Sequence, residues 1–325
     1  MRKMKKAAAA MVLMLTVLSM VSTFNADDYY TGKNVTLYCA YSAGGSSDLL
    51  CRMFAAKLSE RLGTTVTVEN VTGAAGWVCW TQMLENTPAD GYSFCLINTP
   101  NVSTAKLNED NPMKYDHSDF DVICNQVSDS NILAIRGDDD RFSDWESFKA
   151  YWEEEGYMMT SASGLGIESD DATCANLAAK DLGVEVDIIA SEGAGDNVTF
   201  LLNGTTDFLV GNVSEVAQAH RDGQFKVLCV FAEERDPALP DVPTYEELTG
   251  HALYYGSNRG YAMLKGTPEE AATILRAAVQ ETVQDEEMIQ ELADLDTTTY
   301  YVADDEYLAY LDEAVARAKS AYGIE

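Results

Sequence analysis

The stretch of this chain best suited to binding chemistry is a run of small and polar residues, 41–48, set between an apolar strand and an amphipathic helix. Gly44 and Gly45 let the backbone approach a ligand without a Cβ in the way. Ser46 or Ser47 is expected to cap the helix and to offer a hydroxyl group. Since the free N–H groups of a helix start attract anions, the chemistry indicated is anion binding. A plain strand-to-helix bend with a cap would use the same residue types.

The elements around this turn place it at the edge of a sheet. Residues 35–40 read as a strand buried on both faces, and apolar residues then recur at helical spacing to Leu62, with Gly63 as the stop. Open α/β sheets bind ligands at the carboxyl ends of their strands. The turn has neither a P-loop ending nor the GxGxxG fingerprint, which argues against nucleotide binding.

Turns of the same kind recur in both halves of the chain, each after a predicted strand. They lie at residues 41–48, 70–76, 98–100, 161–166, 190–196 and 211–214. Two short apolar runs between Asp119 and Ile135 are expected to be strands that pass from one half to the other. Predicted helices follow the turns, one carries Trp145, Phe148 and Trp152 on one face, and the tail from Thr267 is helical. Two halves of like construction predict a protein that binds its ligand in a cleft.

The first 26 residues are expected to be a secretory signal peptide, with Arg2, Lys3, Lys5 and Lys6 before an uncharged apolar run. No cysteine follows that run before Cys39, so no lipoprotein attachment site is expected. The cleaved protein would then lie in the periplasm without inserting directly into the membrane.

The chain is strongly acidic, with 22 Lys+Arg against 53 Asp+Glu and a net charge of −31. Nucleic acid and anionic lipid are therefore unsuitable partners. An anionic ligand could bind only where local N–H dipoles outweigh a field that salt screens within about 8–10 Å.

Cysteine and histidine supply no sign of a metal or catalytic site. The seven cysteines mostly have apolar neighbours and are expected to be small buried hydrophobes, not a disulfide framework. His117, His220 and His251 lack metal-ligand spacing and are expected at the surface. No Ser lies in a GxSxG context, so neither catalytic residues nor a metal nor a cofactor is expected.

Five short stretches, in this order, resemble the extracytoplasmic solute-binding component of tripartite tricarboxylate transporters. They are Ala43–Asp48, Glu69-Asn70 with Gly73–Gly76, Asp90–Tyr92, Leu239–Thr244 and Gly266–Glu270. The resemblance covers essentially the whole mature length. It implies an α/β, two-lobed Venus-flytrap fold of the type II periplasmic-binding kind, each lobe a mixed sheet flanked by helices. We expect lobe 1 to comprise residues 27–130 with 254–325, and lobe 2 residues 131–253.

The resemblance also implies that a small carboxylate is captured between the lobes by backbone amides and water, without a salt bridge. Delivery to the permease subunits of a membrane transporter would follow, and we expect a monomer. The ligand contacts it implies are Tyr41, Ala43, Gly44, Gly45, Ser46, Asp48, Ala74, Ala75, Gly76, Asn98, Thr99, Ser161, Ser163, Gly164, Gly166, Glu192, Gly193, Ala194, Asn212 and Ser214.

One departure from the family bears on the ligand. Where the family commonly has an aromatic residue and a Lys, this chain has Ser191-Glu192, which reverses a charge and argues against a tricarboxylate such as citrate. Glu192 is either a solvated loop carboxylate or the partner of an ammonium or hydroxyl group on a ligand that also carries a carboxylate. Tyr41 and Trp77 either wall the pocket or pack between helix and sheet.

Two other functions stay open at this point. The same fold could present its ligand to a membrane histidine kinase as a sensor, and a secreted hydrolase is a more distant alternative.

Overall fold

The computed structural model describes residues 29–107, 113–162, 169–191 and 194–324, and within them the chain is a mixed α/β protein. The strands are β1 (Asn34–Cys39), β2 (Thr65–Asn70), β3 (Ser93–Thr99), β4 (Phe120–Arg136), β5 (Tyr157–Ala162), β6 (Glu185–Ala190), β7 (Leu209–Asn212), β8 (Phe225–Val230), β9 (Gly256–Leu264) and β10 (Thr298–Ala303). The helices are α1 (Ser46–Leu62), α2 (Trp77–Asn86), α3 (Asn101–Thr104), α4 (Trp145–Glu155), α5 (Asp170–Leu182), α6 (Ala194–Leu202), α7 (Val213–Arg221), α8 (Tyr245–Thr249), α9 (Glu269–Val283), α10 (Glu286–Ala293) and α11 (Asp304–Tyr322).

The strands form one large sheet and one small one. In the large sheet the order is β10-β4-β9-β3-β1-β2, and β7 and β8 also pair with β4. Strand β1 runs parallel to β2 and β3, while β9 runs antiparallel to both β3 and β4. Strands β5 and β6 make a separate parallel pair. The carboxyl ends of β1, β2 and β3 therefore meet at one edge, as the sequence predicts.

Strand β4 joins the two groups of strands. Its first part, to Ser130, pairs with β9, and its last part, from Asn131, pairs with β7 and β8. The prediction of two short strands is wrong, because 120–136 is one continuous strand. The polar residues between its two apolar runs keep their backbone pairing with β9: Asp129 lies opposite Ser257, and Ser130 opposite Gly256.

Helices cover both faces of the β1–β3 part of the large sheet, and one core lies on each side. Phe54 of α1 stacks on Tyr261 of β9 at a centroid distance of 4.1 Å in the first core. Trp77 and Trp80 of α2 pack with Tyr307 of α11 in the second. This layered burial on both faces explains why β1 and β3 read as nearly continuous apolar runs.

The second group of strands has its own core, built from the predicted aromatic face of α4. Trp145, Phe148 and Trp152 are buried there, and Trp152 packs against Phe208 at 4.9 Å between centroids. That prediction is confirmed. Gly63 ends α1 in the left-handed conformation at φ 62°, also as predicted.

Several elements are not predicted by the sequence. Strands β8 and β9 and helix α8 were not predicted, and the early part of β9 is polar. The tail from Thr267 is helical as predicted in α9, α10 and α11, but strand β10 interrupts it, so that part of the prediction is wrong. All seven cysteines are buried and free, which confirms their assignment as small hydrophobes. His117 contradicts its expected surface position: it is buried, and its Nε2 lies 3.1 Å from Asp312 Oδ1, an ion-pair partner that sequence spacing does not reveal.

The expected signal peptide, residues 1–26, lies outside the described residues. In the part of the chain that the structure describes, no helix has an apolar stretch long enough to cross a membrane.

Close packing at Gly260 gives a test of this fold. A Cβ at Gly260 in β9 would overlap the Tyr307 hydroxyl and the Cys124 carbonyl oxygen, whereas one at Gly195 in α6 would meet no atom within 4 Å. We expect Gly260→Ala to lower the free energy of unfolding by about 1–3 kcal/mol, because the core is overpacked. The matched control Gly195→Ala should be neutral or raise it by up to about 1 kcal/mol. Urea denaturation measures both, and equal effects would contradict this packing.

Candidate functional site

A buried carboxylate fixes the position of the first predicted turn. Asp48, which is 3% exposed, accepts a hydrogen bond from the Gly44 N–H at 2.8 Å and from Asn70 Nδ2 at 2.8 Å. Arg52 completes the arrangement, with its Nε 2.9 Å from Asp48 Oδ2. Arg52, with the two other donors, lowers the pKa of Asp48 to about 2.

The residues of this turn have two different roles, ligand contact and support of the turn. Residues 43–46 are exposed, so they are free to meet a ligand, whereas the Asp48 carboxylate is engaged inside the chain and positions them. The expectation that Ser46 or Ser47 caps α1 is wrong. Gly45 is the N-cap residue, without a side chain to cap, because the helix begins one residue earlier than that expectation requires. The amides at the start of α1 therefore donate no hydrogen bond to an N-cap side chain.

The second turn is conformationally strained. Ala74 and Ala75 both adopt positive φ, 47° and 51°, which residues other than glycine seldom do, and both are exposed. The turn is braced by Asn101 Nδ2, which donates to the Ala75 carbonyl at 3.3 Å. Gly76 is required where it stands, because a Cβ there would overlap the Trp80 ring. Trp77 is buried in the core, which settles its role as packing between helix and sheet.

The third turn brings Asn98 and Thr99 next to the first. Both are buried, and Asn98 Oδ1 accepts a hydrogen bond from Ser257 Oγ at 3.0 Å. The Tyr41 hydroxyl is buried beside Asn98 and Arg259, and burial raises the pKa of Tyr41. The Tyr41 hydroxyl and Thr99 Oγ1 lack a hydrogen-bond partner among the described residues.

The predicted residues of the second half are only partly described. Ser163, Gly164, Gly166, Glu192 and Gly193 lie outside the described residues. Ser161 ends in a fully buried hydroxyl without a hydrogen-bond partner in the described structure, and Ala194 is the first residue of α6.

Asn212 and Ser214, at the start of α7, are bound by a carboxylate of β4. The Ser214 N–H donates to Asp129 Oδ1 at 3.1 Å, and Ser214 Oγ donates to Asp129 Oδ2 at 2.5 Å. Asn212 Nδ2 donates to the Asp129 carbonyl at 2.9 Å. The anion at this helix start is thus a side chain of the protein itself, and the contact of these two residues with a ligand stays a prediction.

Further carboxylates gather at the same place. Asp170 Oδ2 accepts from Asn212 Nδ2 at 3.1 Å and from Asn131 Nδ2 at 3.2 Å. Burial raises the pKa of Asp170, although these two amides oppose that effect. Burial and the nearby Asp129 raise the pKa of Glu215 to about 7. Among the described residues, no group of three or more His, Cys, Asp or Glu side chains is placed to hold a metal ion.

One basic side chain faces these carboxylates. Arg259 of β9 is 6% exposed and has its Nη2 3.4 Å from Asp129 Oδ2, while its buried Nε makes no hydrogen bond in the described structure. No basic side chain was predicted at the site, where a carboxylate was expected to be held without a salt bridge, so Arg259 departs from that prediction.

A cavity of about 160 Å³ brings predicted residues of the two halves together. Ser46 and Ser214 both line it, and so does Arg259, with Leu49, Leu50, Met53, Leu292, Leu295 and Thr297 forming the rest of its wall. Thr99 lies instead at a larger cavity of about 510 Å³, on the side of β4 that carries Ser128 and Ser130. The smaller cavity is therefore the one that matches the predicted pairing of helix starts.

The site residues that sequence reasoning missed are polar residues in strands or helix starts. They are Asp129, Asn131, Asp170, Glu215 and Arg259. The signal for two of them was present, since Asp129 and Asn131 interrupt an apolar run that proves to be one strand. Such an interruption in a central strand indicates a buried polar network.

Comparison with known proteins decides the family. The sequence profile described as "Tripartite tricarboxylate transporter family receptor" matches residues 50–322. The chain belongs to this family. Proteins of the tripartite tricarboxylate receptor family are periplasmic solute-binding receptors, not enzymes. The resemblance stated from short sequence stretches is thereby confirmed.

Individual members of the family give the same result. A UPF0065 protein from the gbd 5′ region of Cupriavidus necator is 28% identical over 296 residues, 90% of this chain and 88% of that protein. The crystal structure of a TctC solute-binding protein from Polaromonas, without ligand, superposes with a TM-score of 0.74 at 26% identity, covering 90% of this chain and 99% of that one.

A third match is a structure that was solved with a bound molecule. The Rhodopseudomonas palustris protein Rpa4515, solved with adipate, is 21% identical with a TM-score of 0.79 and covers 90% of this chain and 98% of that one. These matches confirm the α/β periplasmic solute-binding fold.

The role of Asp48 leads to a pH-dependent prediction. Asp48→Asn removes the charge that Arg52 and the Gly44 N–H bind, so we expect it to lower the free energy of unfolding at pH 7 by about 1–3 kcal/mol. Because the pKa of Asp48 in the folded protein is depressed to about 2, this stabilisation is present above pH 4 and is lost as the pH falls toward 2.

Urea denaturation between pH 2.5 and 7 measures the difference between wild type and Asp48→Asn. The exposed Asp140→Asn is the control, expected to stay within about 0.5 kcal/mol of wild type throughout. A difference for Asp48→Asn that did not shrink in acid would contradict the carboxylate's role.

Proposed function

We propose that this chain is an extracytoplasmic receptor that captures a small carboxylate-bearing organic solute between two lobes and delivers it to the permease subunits of a tripartite tricarboxylate-type transporter. Lobe 1 comprises residues 27–130 with 254–325, and lobe 2 comprises residues 131–253. The observation that carries the proposal is the cavity lined by Ser46 of the first segment and Ser214 of the second, at two helix starts. A ligand there would touch both lobes at once.

The chemistry of the cavity suits a carboxylate at its lobe 1 side. The start of α1 offers amides without a side-chain cap, and Arg259 offers a buried Nε–H without a partner in the described residues. Charge-assisted hydrogen bonds of this kind contribute roughly 1.5–3 kcal/mol each, and a helix dipole adds about 0.3–2 kcal/mol. A few such contacts are enough for micromolar binding, which corresponds to about 8 kcal/mol.

Apolar side chains give the cavity a place for a short carbon chain. Leu49, Leu50 and Met53 of α1 face Leu292 and Leu295 across it. Burying the methylene groups of a ligand against them is favourable by about 0.8 kcal/mol for each group. The adipate bound by the Rhodopseudomonas protein has this combination of carboxylate and methylene groups, which supports a related solute here.

Other parts of the proposal follow from the sequence. We propose that the signal peptide, residues 1–26, is cleaved, and that the mature receptor is a periplasmic monomer without a lipid anchor. Its strong negative charge opposes binding to nucleic acid and to anionic lipid. When the lobes close over the ligand, water is excluded and the same hydrogen bonds become stronger, so the closed form is the one that a permease would recognise.

Calorimetric titration with propionate, succinate, adipate and citrate tests the function. We expect at least one of these to bind and to raise the melting temperature, as a ligand of the folded state must. Arg259→Gln should weaken that binding at least 10-fold, because the cavity loses its charged donor. Arg235→Gln, at an exposed arginine paired with Glu247, should leave it unchanged. Equal affinities for the two variants would contradict the placement of the ligand, and no binding by any carboxylate would contradict the function.

A further inference from the structure

The junction between the two proposed lobes holds more buried negative groups than positive ones. Asp129 and Asp170 are 2% and 9% exposed, and Glu215 faces both, whereas Arg259 is the basic side chain that contacts the group. Asn212 and Ser214 tie these residues together at the start of α7. Among the described residues one guanidinium contacts these three carboxylates, and the raised pKa values of Asp170 and Glu215 reflect the cost of burying their charge. A bound cation would relieve that cost without protonation.

Unpartnered polar atoms lie within the same group and are independent of its charge. Asn131 and Asn197 are 0% and 1% exposed; their amide nitrogens contact Asp170 and Asp171, while their Oδ1 atoms receive no hydrogen bond in the described structure. Arg259 adds an unused donor, its Nε. Buried acceptors and donors in native proteins are almost always satisfied by protein, water or ligand, so these atoms leave two acceptors and one donor available to a bound molecule.

The two sides of the cavity differ in polarity. At Ser46 the start of α1 presents amides, whose own buried carboxylate, Asp48, is already neutralised by Arg52. At Ser214 the start of α7 is occupied by Asp129, so a buried carboxylate lies directly behind that part of the cavity wall. A cationic group of the solute is therefore favoured there over a second carboxylate.

We infer that the solute is zwitterionic, an amino-carboxylate whose carboxylate binds at the start of α1 and Arg259, and whose ammonium group binds among Asp129, Asp170 and Glu215. This inference rests on the proposed function and specifies its solute class; it extends the cavity past Ser214 and Arg259, which line it, to Asp129, which both of these residues contact. The ammonium group supplies three N–H donors and one positive charge, which are what the buried acceptors lack.

Protonation of Glu215 gives the inference a second observable. In the free protein its pKa is raised to about 7, by burial and by Asp129 and Asp170, with Arg259 acting in the opposite direction. An ammonium ion bound beside it favours the charged carboxylate and lowers that pKa. Binding of an amino-carboxylate near pH 7 therefore releases a proton, and its affinity rises between pH 6 and pH 8.

The test compares amino acids with the same acids lacking the amino group. The matched pairs are L-aspartate with succinate, L-glutamate with glutarate, and L-alanine with propionate, titrated by calorimetry at pH 7. Titration in buffers of different ionisation enthalpy also counts the protons released. We expect at least one amino acid to bind 10-fold or more tightly than its partner and to release a fraction of a proton.

Charge-neutralising variants locate the ammonium group. Glu215→Gln should reduce the preference for the amino acid at least 5-fold and abolish proton release, while changing the affinity of the des-amino acid little. Asp170→Asn should also reduce the preference, so the inference can still be tested if one variant does not fold. Glu281→Gln, at an exposed glutamate of α9, is the matched control and should behave as wild type.

The outcomes separate the inference from the function on which it rests. If the des-amino acids bind as tightly as their amino acids, or if Glu215→Gln and Asp170→Asn keep the full preference, the solute is not zwitterionic and the inference is overturned, while the receptor function stands. If no member of any pair binds, the proposed function fails and the inference fails with it.

Discussion

The carboxylate of Asp129, in the middle of the strand that joins the two groups of strands, is the interaction on which the site depends. It is almost fully buried, accepts a hydrogen bond from the Ser214 amide in the first turn of α7, and contacts Arg259 on the neighbouring strand β9. A carboxylate in this position needs all of these donors, because burying it unpaired would be strongly unfavourable. The pairing of β4 with β9, the start of α7 and the placement of Arg259 are thereby coupled.

A second buried carboxylate orders the opposite side of the cavity. Asp48 accepts a hydrogen bond from the Gly44 amide, is neutralised by Arg52, and accepts a further hydrogen bond from Asn70. Both aspartates thus accept a hydrogen bond from a backbone amide close to a helix start, but their surroundings differ. The Asp48 carboxylate is paired with Arg52, and the turn above it leaves its amides exposed. The Asp129 carboxylate instead lies next to Ser214 and Arg259, which line the cavity. This asymmetry follows from the partners: Arg52 contacts Asp48 through two nitrogens, while Arg259 contacts Asp129 through one at 3.4 Å.

Local sequence patterns were enough to predict much of this fold. The strand, glycine turn and helix from Val35 to Gly63 form one contiguous unit, so its apolar spacing and its stop signal are both visible in the sequence. The aromatic face of α4 is equally local. Ser46 and Ser214, from the predicted turns at 41–48 and 211–214, line one cavity, and their contact with a ligand stays a prediction.

The parts that could not be predicted depend on contacts between distant residues. The early part of β9 is polar, because Asn258 and Arg259 lie where strands meet a polar network and not an apolar core, so it lacks the pattern of a strand. Asp129 reads as a break between two strands until its partners, 85 and 130 residues away, are known. His117 is buried by a partner 195 residues away. Periodicity describes neighbours along the chain and carries no information about such pairs.

A crystal structure of the protein with its tightest-binding carboxylate would show where the ligand binds. We expect ligand density in the cavity between Ser46 and Ser214, with a ligand carboxylate accepting hydrogen bonds from main-chain amides of the turn at 44–46 and from Arg259. Density for the ligand elsewhere, or a carboxylate in this cavity that contacts neither those amides nor Arg259, would contradict this expectation.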